Sequence, residues 1–535
     1  MALRYAPLRQ PQRPPVLLRL RPRRRAPSLR GRYRRTAGLS RHGSVTQSRF
    51  PSAVASCIVP PMPTRSALER ARSALHLRLL AAQRRLVTKR QSAVIVIGGC
   101  DRLAASALAN QLTEWFDSRT VRICAPDAAS IDGRPFLWPY WQEMPAKGRL
   151  TIVVGDWLTR TAVEVASHEI SGDALRARLK SLRTFEELLA ADGTSVVKVW
   201  LETSEKTLRK RLRDAEDTDA EGWMVTEEDL LLAKHSSLTL CRALRSQGSG
   251  KNLPWKVVMG GAETKHRDLS AGLVIAAQLG QVSRRRPAVP AKKPSGRPRG
   301  LLESATAHPT LDKKGYNQQM VKLQTRLGRL TRIAAQKGLS TMVVLEGPDA
   351  AGKGGAIRRL CGLLDAAHYQ VFPTPAPTPE EKARHYLWRF WNKVPAPGHL
   401  AVFDRSWFGR VMVERVEGFA KDAEWARAYA EINDFEARLA ETGMVVLKLW
   451  INISKEEQLR RFHAREISPH KRHKMTKEDY RNRKKWDANV RAAEDMIART
   501  DTPHAPWVVV SGDDKRYARV ATLKAVCRAL SDRLD

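Results

Sequence analysis

The chain lacks most of the features that would place it outside the ordinary globular enzymes. Its six cysteines, at 57, 100, 124, 241, 361 and 527, form no Cys-x-x-Cys pair. That scatter argues against a structural zinc site or a disulfide framework and fits a reducing cytoplasm. No run of 18 apolar residues occurs, so no transmembrane helix and no membrane partner are expected. Acidic residues are outnumbered by basic ones, and the formal charge of +39 favours a polyanionic partner: nucleic acid, an acidic surface or a phosphate polymer. The first sixty residues hold fourteen arginines and no lysine, aspartate or glutamate. They also lack any sustained hydrophobic period, so 1–61 reads as a basic disordered segment. Its composition resembles a transit peptide; translation beginning at Met62 is the favoured alternative.

What is present is a repeat. The 535 residues are too many for one ordinary core. "FLWPYWQEMPAKGRL" (136–150) lines up with "YLWRFWNKVPAPGHL" (386–400), and "VVKVWLETS" (196–204) with "VLKLWINIS" (446–454). "TEED" (226–229) matches "TKED" (476–479), and "LPWKVV" (253–258) matches "APWVVV" (505–510). Ordered matches at a period near 250 residues imply a duplicated domain rather than a solenoid. Each half opens with an amphipathic helix, at 65–86 with Leu68, Ala71, Leu75 and Leu79 on one face, and at 316–336. Each helix leads into an apolar strand, 93–98 or 341–347. The fold class expected is α/β, tandem domains each with a parallel sheet flanked by helices. The divisions expected are 62–280, a Pro- and basic-rich linker at 281–300, and 301–535.

The second half carries chemistry. "EGPDAAGKGG" (346–355) follows the strand directly. A Gly-rich loop between a strand and a helix N-terminus aims backbone N–H groups at an anion. Gly347, Gly352, Gly354 and Gly355 give the backbone room to wrap phosphate oxygens, and Lys353 reaches the terminal phosphates. The Ser or Thr that usually follows such a lysine is missing; Gly354 stands there. Magnesium needs hard oxygen ligands, and Asp349, inside the loop, is the nearest substitute. "LAVF" (400–403) ends in Asp404, a second carboxylate at a strand end, followed by Arg405, whose fork suits phosphate. "SPHKRHKMTKEDYRNRKKW" (468–486) is a basic segment between two helical patterns, placed to fold over phosphates as a lid.

"GPDAAGKGG", "YLWRFW", "FDRSWFGRVMVERVEGF", "EINDFE", "KLWINIS" and "APW" together resemble polyphosphate kinase family 2, densely over 310–530 and weakly over 90–280. The resemblance implies a P-loop kinase-like fold with a helical lid, and magnesium-dependent phosphoryl transfer between inorganic polyphosphate and a nucleotide. It matches Asp349 and Lys353 to the family's loop, Asp404 and Arg405 to its second motif, and Lys471 and Lys474 to its lid. Phe408 stands where the family usually has tyrosine.

The first half departs from this pattern at the same positions. Asp101 keeps the place of Asp349, but Ala104 and Ala105 stand for Gly352 and Lys353. Val154 and Gly155 replace Asp404 and Arg405, Pro139 replaces the phosphate-binding candidate Arg389, and Glu221–Met224 replace the basic lid. Trp138, Trp141, Trp157 and Trp200 are retained. The first half is therefore expected to keep its core and lack catalysis. The two-domain architecture implies, by analogy, AMP as acceptor and ADP as product. ADP, GDP or another nucleotide is the alternative acceptor. A nucleic-acid-binding role has only the charge behind it, since no recognition helix, zinc or stacking motif is present. Oligomeric state stays open.

Overall fold

Two runs of apolar β-formers, Ser92–Gly98 and Thr341–Glu346, are buried at every residue and form the central strands of two sheets. The computed structural model describes residues 65–126, 133–217, 224–250, 252–260, 263–281, 302, 309–470 and 477–535. The expectations for 1–61 and, apart from Gln281, for the linker 281–300 lie outside these residues.

The first sheet contains β1 (Ser92–Gly98), β2 (Val121–Cys124), β3 (Leu150–Val154), β4 (Thr194–Glu202) and β5 (Lys256–Met259), in the order β2-β3-β1-β4-β5. The second contains β6 (Thr341–Glu346), β7 (Tyr369–Pro373), β8 (Leu400–Asp404), β9 (Val445–Asn452) and β10 (Trp507–Ser511), in the order β10-β9-β6-β8-β7. All pairings are parallel, so the two sheets have one topology read in opposite directions. In such a sheet ligands gather at the carboxyl ends of the strands, where the order reverses. Here that point is the end of β6, between β8 and β9.

The two leading helices form as the periodicity predicts. Arg65–Lys89 buries Leu68, Leu75 and Leu79, with Ala71 only half-buried. The second helix, Lys313–Gln336, starts three residues before its predicted place because Asp312 caps it, accepting from the N–H groups of Lys314 and Gly315 at 3.2 and 3.0 Å.

Each half buries the same charged triad. Lys448 Nζ lies 2.6 Å from Glu436, which also accepts from the Trp407 indole at 3.0 Å. In the first half Lys198, Glu186 and Trp157 repeat this at 2.6 and 3.0 Å.

Residues 63–535 form one compact unit. Its halves meet through the repeated Trp-rich turns, Trp138–Gln142 and Trp388–Trp391. Trp141 and Trp391 stack with ring centres 5.6 Å apart. The Trp138 indole donates to the Trp391 carbonyl at 3.0 Å, and the Trp388 indole to the Gln142 carbonyl at 3.2 Å. Of the four retained tryptophans, Trp138 and Trp141 meet the second half. Trp157 and Trp200 instead serve their own half's core, Trp157 against Glu186 and Trp200 edge-on to Trp255.

Candidate active site

The loop after β6 is shaped by two glycines. Gly347 has φ +143°, and a Cβ there would lie 2.4 Å from the Ile451 carbonyl oxygen of the neighbouring strand, so no side chain fits. Gly352, at φ +111°, caps the helix Lys353–Leu360. Gly354 and Gly355 differ from expectation. They lie within the first turn of that helix rather than in wrapped backbone, and they leave its N-terminus open to an anion.

The helix starts at Lys353, which is buried. Its ammonium donates to the carbonyls of Gly347 and Pro348 at 2.6 and 3.1 Å. Burial, then the neighbouring Arg405, pull its pKa below the usual lysine range, against the opposing pull of Asp349, Asp404 and Glu346. Asp349 Oδ1 accepts from Arg405 at 2.5 Å and Oδ2 from the Asn482 amide at 2.8 Å. Burial works to raise its pKa, but Arg405, Lys353 and Asn482 outweigh it and hold the carboxyl below its ordinary value. Arg405 is half-exposed and sits at φ +63°. Asp404 ends β8 in register with Leu345 of β6. A Cβ on residue 354 would lie 3.9 Å from Asp404 Oδ2. The place of the missing hydroxyl residue is thus next to a carboxylate.

Of these groups, Asp349 and Arg405 line a cleft; Lys353 and Asp404 are not among its lining residues but lie close enough to act on each other's charge. Glu346, Gly347, Asp349 and Arg405 line one end; Met412, Val413, Trp450, Trp486 and Val490 give the rest an apolar wall.

Some predicted residues are placed elsewhere. Arg389 does not line the cleft: it is buried, 3.2 Å from Glu381, and donates to the Pro375 carbonyl at 3.2 Å. Lys471 and Lys474 lie outside the described residues. Phe408 is fully buried against Trp507, ring centres 4.8 Å apart, so the absent hydroxyl leaves no gap in the cleft lining.

Sequence reasoning missed the groups that hold the loop. Arg461 donates to the Ala350 and Ala351 carbonyls at 2.9 and 2.8 Å and to those of Gly512 and Asp513 at 2.6 and 3.0 Å. Gln458 donates to the Asp349 carbonyl at 3.1 Å. Glu346, its pKa raised by burial despite Lys353, accepts from Ser406 at 2.9 Å. An acid closing an apolar strand just before the loop was the available signal for Glu346. For Arg461 and Asn482, 110 and 133 residues from their partners, no local pattern exists.

In the first half the helix after the loop starts three residues earlier than its counterpart. Arg102–Trp115 starts at Arg102, capped by Asp101, which accepts from Ala104 N–H at 2.9 Å. Arg211 and Thr203 take the other oxygen of this fully buried carboxylate. Arg102 is forked onto Asp229 and reaches the Met224 carbonyl at 2.7 Å. Gly155 keeps the left-handed backbone of Arg405, at φ +71°, without its charge. Asp156 is a buried helix cap, donated to by Leu158 N–H at 2.8 Å.

Residues 64–286 and 310–534 each match the family model described as Polyphosphate kinase 2. A protein named Polyphosphate:AMP phosphotransferase from Pseudomonas aeruginosa is 38% identical over 453 residues, covering 82% of this chain and 90% of its own. One of the same name from Acinetobacter johnsonii is 36% identical over 466 residues, covering 85% and 95%. The ADP-polyphosphate phosphotransferase of P. aeruginosa is 38% identical but matches only 41% of this chain, with 72% of its own length. A crystal structure of a polyphosphate kinase 2 from P. aeruginosa PA01 superposes with a TM-score of 0.77 at 36% identity, covering 88% of this chain and 97% of its own.

Proposed function

The chain belongs to the polyphosphate kinase 2 family, and from that premise we propose that it is a polyphosphate:AMP phosphotransferase whose second half performs the transfer. The observation that carries the division of labour is the gathering of Lys353, Asp349, Asp404 and Arg405 around one loop, close enough to act on each other's charge, set against their loss or burial in the first half. Relatives alike over both halves bear the AMP name, which supports AMP over ADP or GDP.

The reaction breaks the terminal P–O–P bond of the polymer and forms a new P–O bond to an oxygen of the AMP phosphate. That oxygen is already anionic, so no general base is required; the barrier is the approach of two anions. Lys353, Arg405 and the N-terminus of the helix Lys353–Leu360 supply the opposing charge. Lys353 exchanges the Gly347 and Pro348 carbonyls for phosphate oxygens. Arg405, half-exposed, turns from Asp349 toward the ligand, where its fork can grip two oxygens. Lys471 and Lys474, in the basic segment beyond residue 470, are proposed to neutralise the polymer's charge.

The residues fit magnesium. Such an ion is commonly bound by one or two carboxylates plus substrate phosphates, and Asp404 faces the place where the usual hydroxyl would stand. Asp404 and Asp349 would hold it, and when bound it would neutralise phosphate charge. Asp404→Asn is expected to raise the magnesium concentration for half-maximal rate about tenfold, because a neutral amide is a poorer ligand for a hard cation. A normal magnesium titration for that variant contradicts the assignment. Among the described residues no helix is long and apolar enough to cross a membrane; a nucleotide substrate accords with the cytoplasm.

The test is incubation of the full chain with long-chain polyphosphate, magnesium and AMP, ADP, GMP or GDP in turn, followed by nucleotide separation. ADP from AMP at the highest rate is expected. Preferential use of ADP or GDP, acceptors named for relatives of about half this length, would shift the assignment to them.

A further inference from the structure

We infer that Leu302, contributed by the segment that joins the two halves, is a specificity-determining wall of the cleft that contacts the nucleoside of the acceptor. The inference rests on the reading of this cleft as a nucleotide site. Leu302 is 4% exposed and lines the cleft together with Gly347, Asp349 and Arg405. It is held there by its backbone. Its N–H donates to Glu494 at 3.4 Å, and its carbonyl accepts from the Asn452 amide at 3.0 Å. The other end of that amide accepts from the Trp450 indole at 3.2 Å. Asn452 therefore donates to one cleft wall and accepts from another, which an amide can do and an ionised carboxylate, with no proton to give, cannot.

The first half shows the contrast. Glu202 stands at the matching place, at the end of β4, and turns its two oxygens onto Arg242 and Arg245 of its own helix at 2.5 and 2.7 Å. An ionised Glu202 could not bind a carbonyl as Asn452 does. The means of holding Leu302 is present in the half that keeps the phosphate loop.

Polyphosphate offers only charged oxygens, and an apolar wall gains nothing from it. A nucleoside offers the flat face of a base and the carbon skeleton of a ribose, and these bury well against leucine and tryptophan. Leu302 consequently discriminates on the acceptor side of the reaction and is silent toward the donor.

The experiment measures kcat and both KM values for the full-length protein and for Leu302→Ala, Leu302→Met and Asn452→Asp. The acceptor used is whichever nucleotide the wild type phosphorylates. Leu302→Ala should raise the acceptor KM about tenfold, the scale set by trimming a hydrophobic pocket. The polyphosphate KM should change less than about twofold. Leu302→Met, similar in volume, should stay near wild type, and Asn452→Asp should follow Leu302→Ala. Since KM does not depend on the fraction of folded enzyme, partial instability of a variant leaves the comparison readable. An unchanged acceptor KM in Leu302→Ala, or a parallel rise in both KM values, overturns the inference. A wild type that prefers another nucleotide to AMP overturns the proposed acceptor alone, and Leu302 is then judged on that nucleotide. A wild type that phosphorylates no nucleotide overturns both.

Discussion

Lys353→Ala should leave a folded protein whose rate of ADP formation is lower by roughly 10²–10³-fold, the usual scale for one well-placed group acting on transition-state charge. The lysine is buried, and its ammonium donates to the Gly347 and Pro348 carbonyls. Burial and Arg405 work against its charge. Removing it relieves that cost but also withdraws its attraction from Asp349, Asp404 and the buried Glu346, so a moderate loss of stability is expected alongside the loss of rate. The loop keeps its shape without it, because Gly347 is fixed by close contact with Ile451 and the following carbonyls by Arg461. A purified variant with native circular dichroism and more than about a tenth of wild-type turnover would contradict the role given to this residue.

Lys448→Met should lower stability by about 3–5 kcal/mol, the scale for breaking a buried ion pair from one side. Glu436 is fully buried, and burial pushes its pKa up to about 7 despite Lys448 beside it. A carboxyl raised in the folded state gives stability that is present below its unfolded pKa near 4.5 and lost as pH rises through about 7. Without Lys448 the folded pKa rises further, so the deficit should be smallest near pH 4.5 and grow toward pH 8. Denaturant midpoints of wild type and variant across that range measure it; a deficit independent of pH would show that lost packing, not an unpaired charge, is responsible. Replacing Glu436 by Gln in the same chain should restore part of the stability.

The four central groups were legible in the sequence for a common reason. Asp349 and Lys353 follow the apolar strand β6 within seven residues, and Asp404 and Arg405 end β8, so parallel pairing alone brings them together. The duplication was legible because core residues such as Trp407 and Lys448 recur 250 positions from Trp157 and Lys198. The pairing of Arg389 with Glu381 was not legible, because it depends on how a turn folds back, not on spacing. Asn482, Arg461 and Leu302 act through partners more than a hundred residues away, a distance at which a single sequence gives no sign of contact. In the first half, Ala104 and Ala105 marked the departure from the phosphate-loop pattern. The earlier start of the helix there, three residues ahead of its counterpart, with Asp101 as its buried cap, follows from long-range contacts that no local pattern shows.

The central claim is that one half transfers phosphate and the other does not. It is tested most directly by ADP formation from AMP, long-chain polyphosphate and magnesium, measured for the full-length wild type, Lys353→Ala and Arg102→Ala side by side. Arg102 is the basic group at the first half's former loop, and its ion pair with Asp229 pins the helix Glu227–Leu232 there. The wild type should make ADP, Arg102→Ala should keep its rate within about threefold, and Lys353→Ala should lose nearly all of it. ADP formation that survives Lys353→Ala, or that falls as far in Arg102→Ala, would contradict the account.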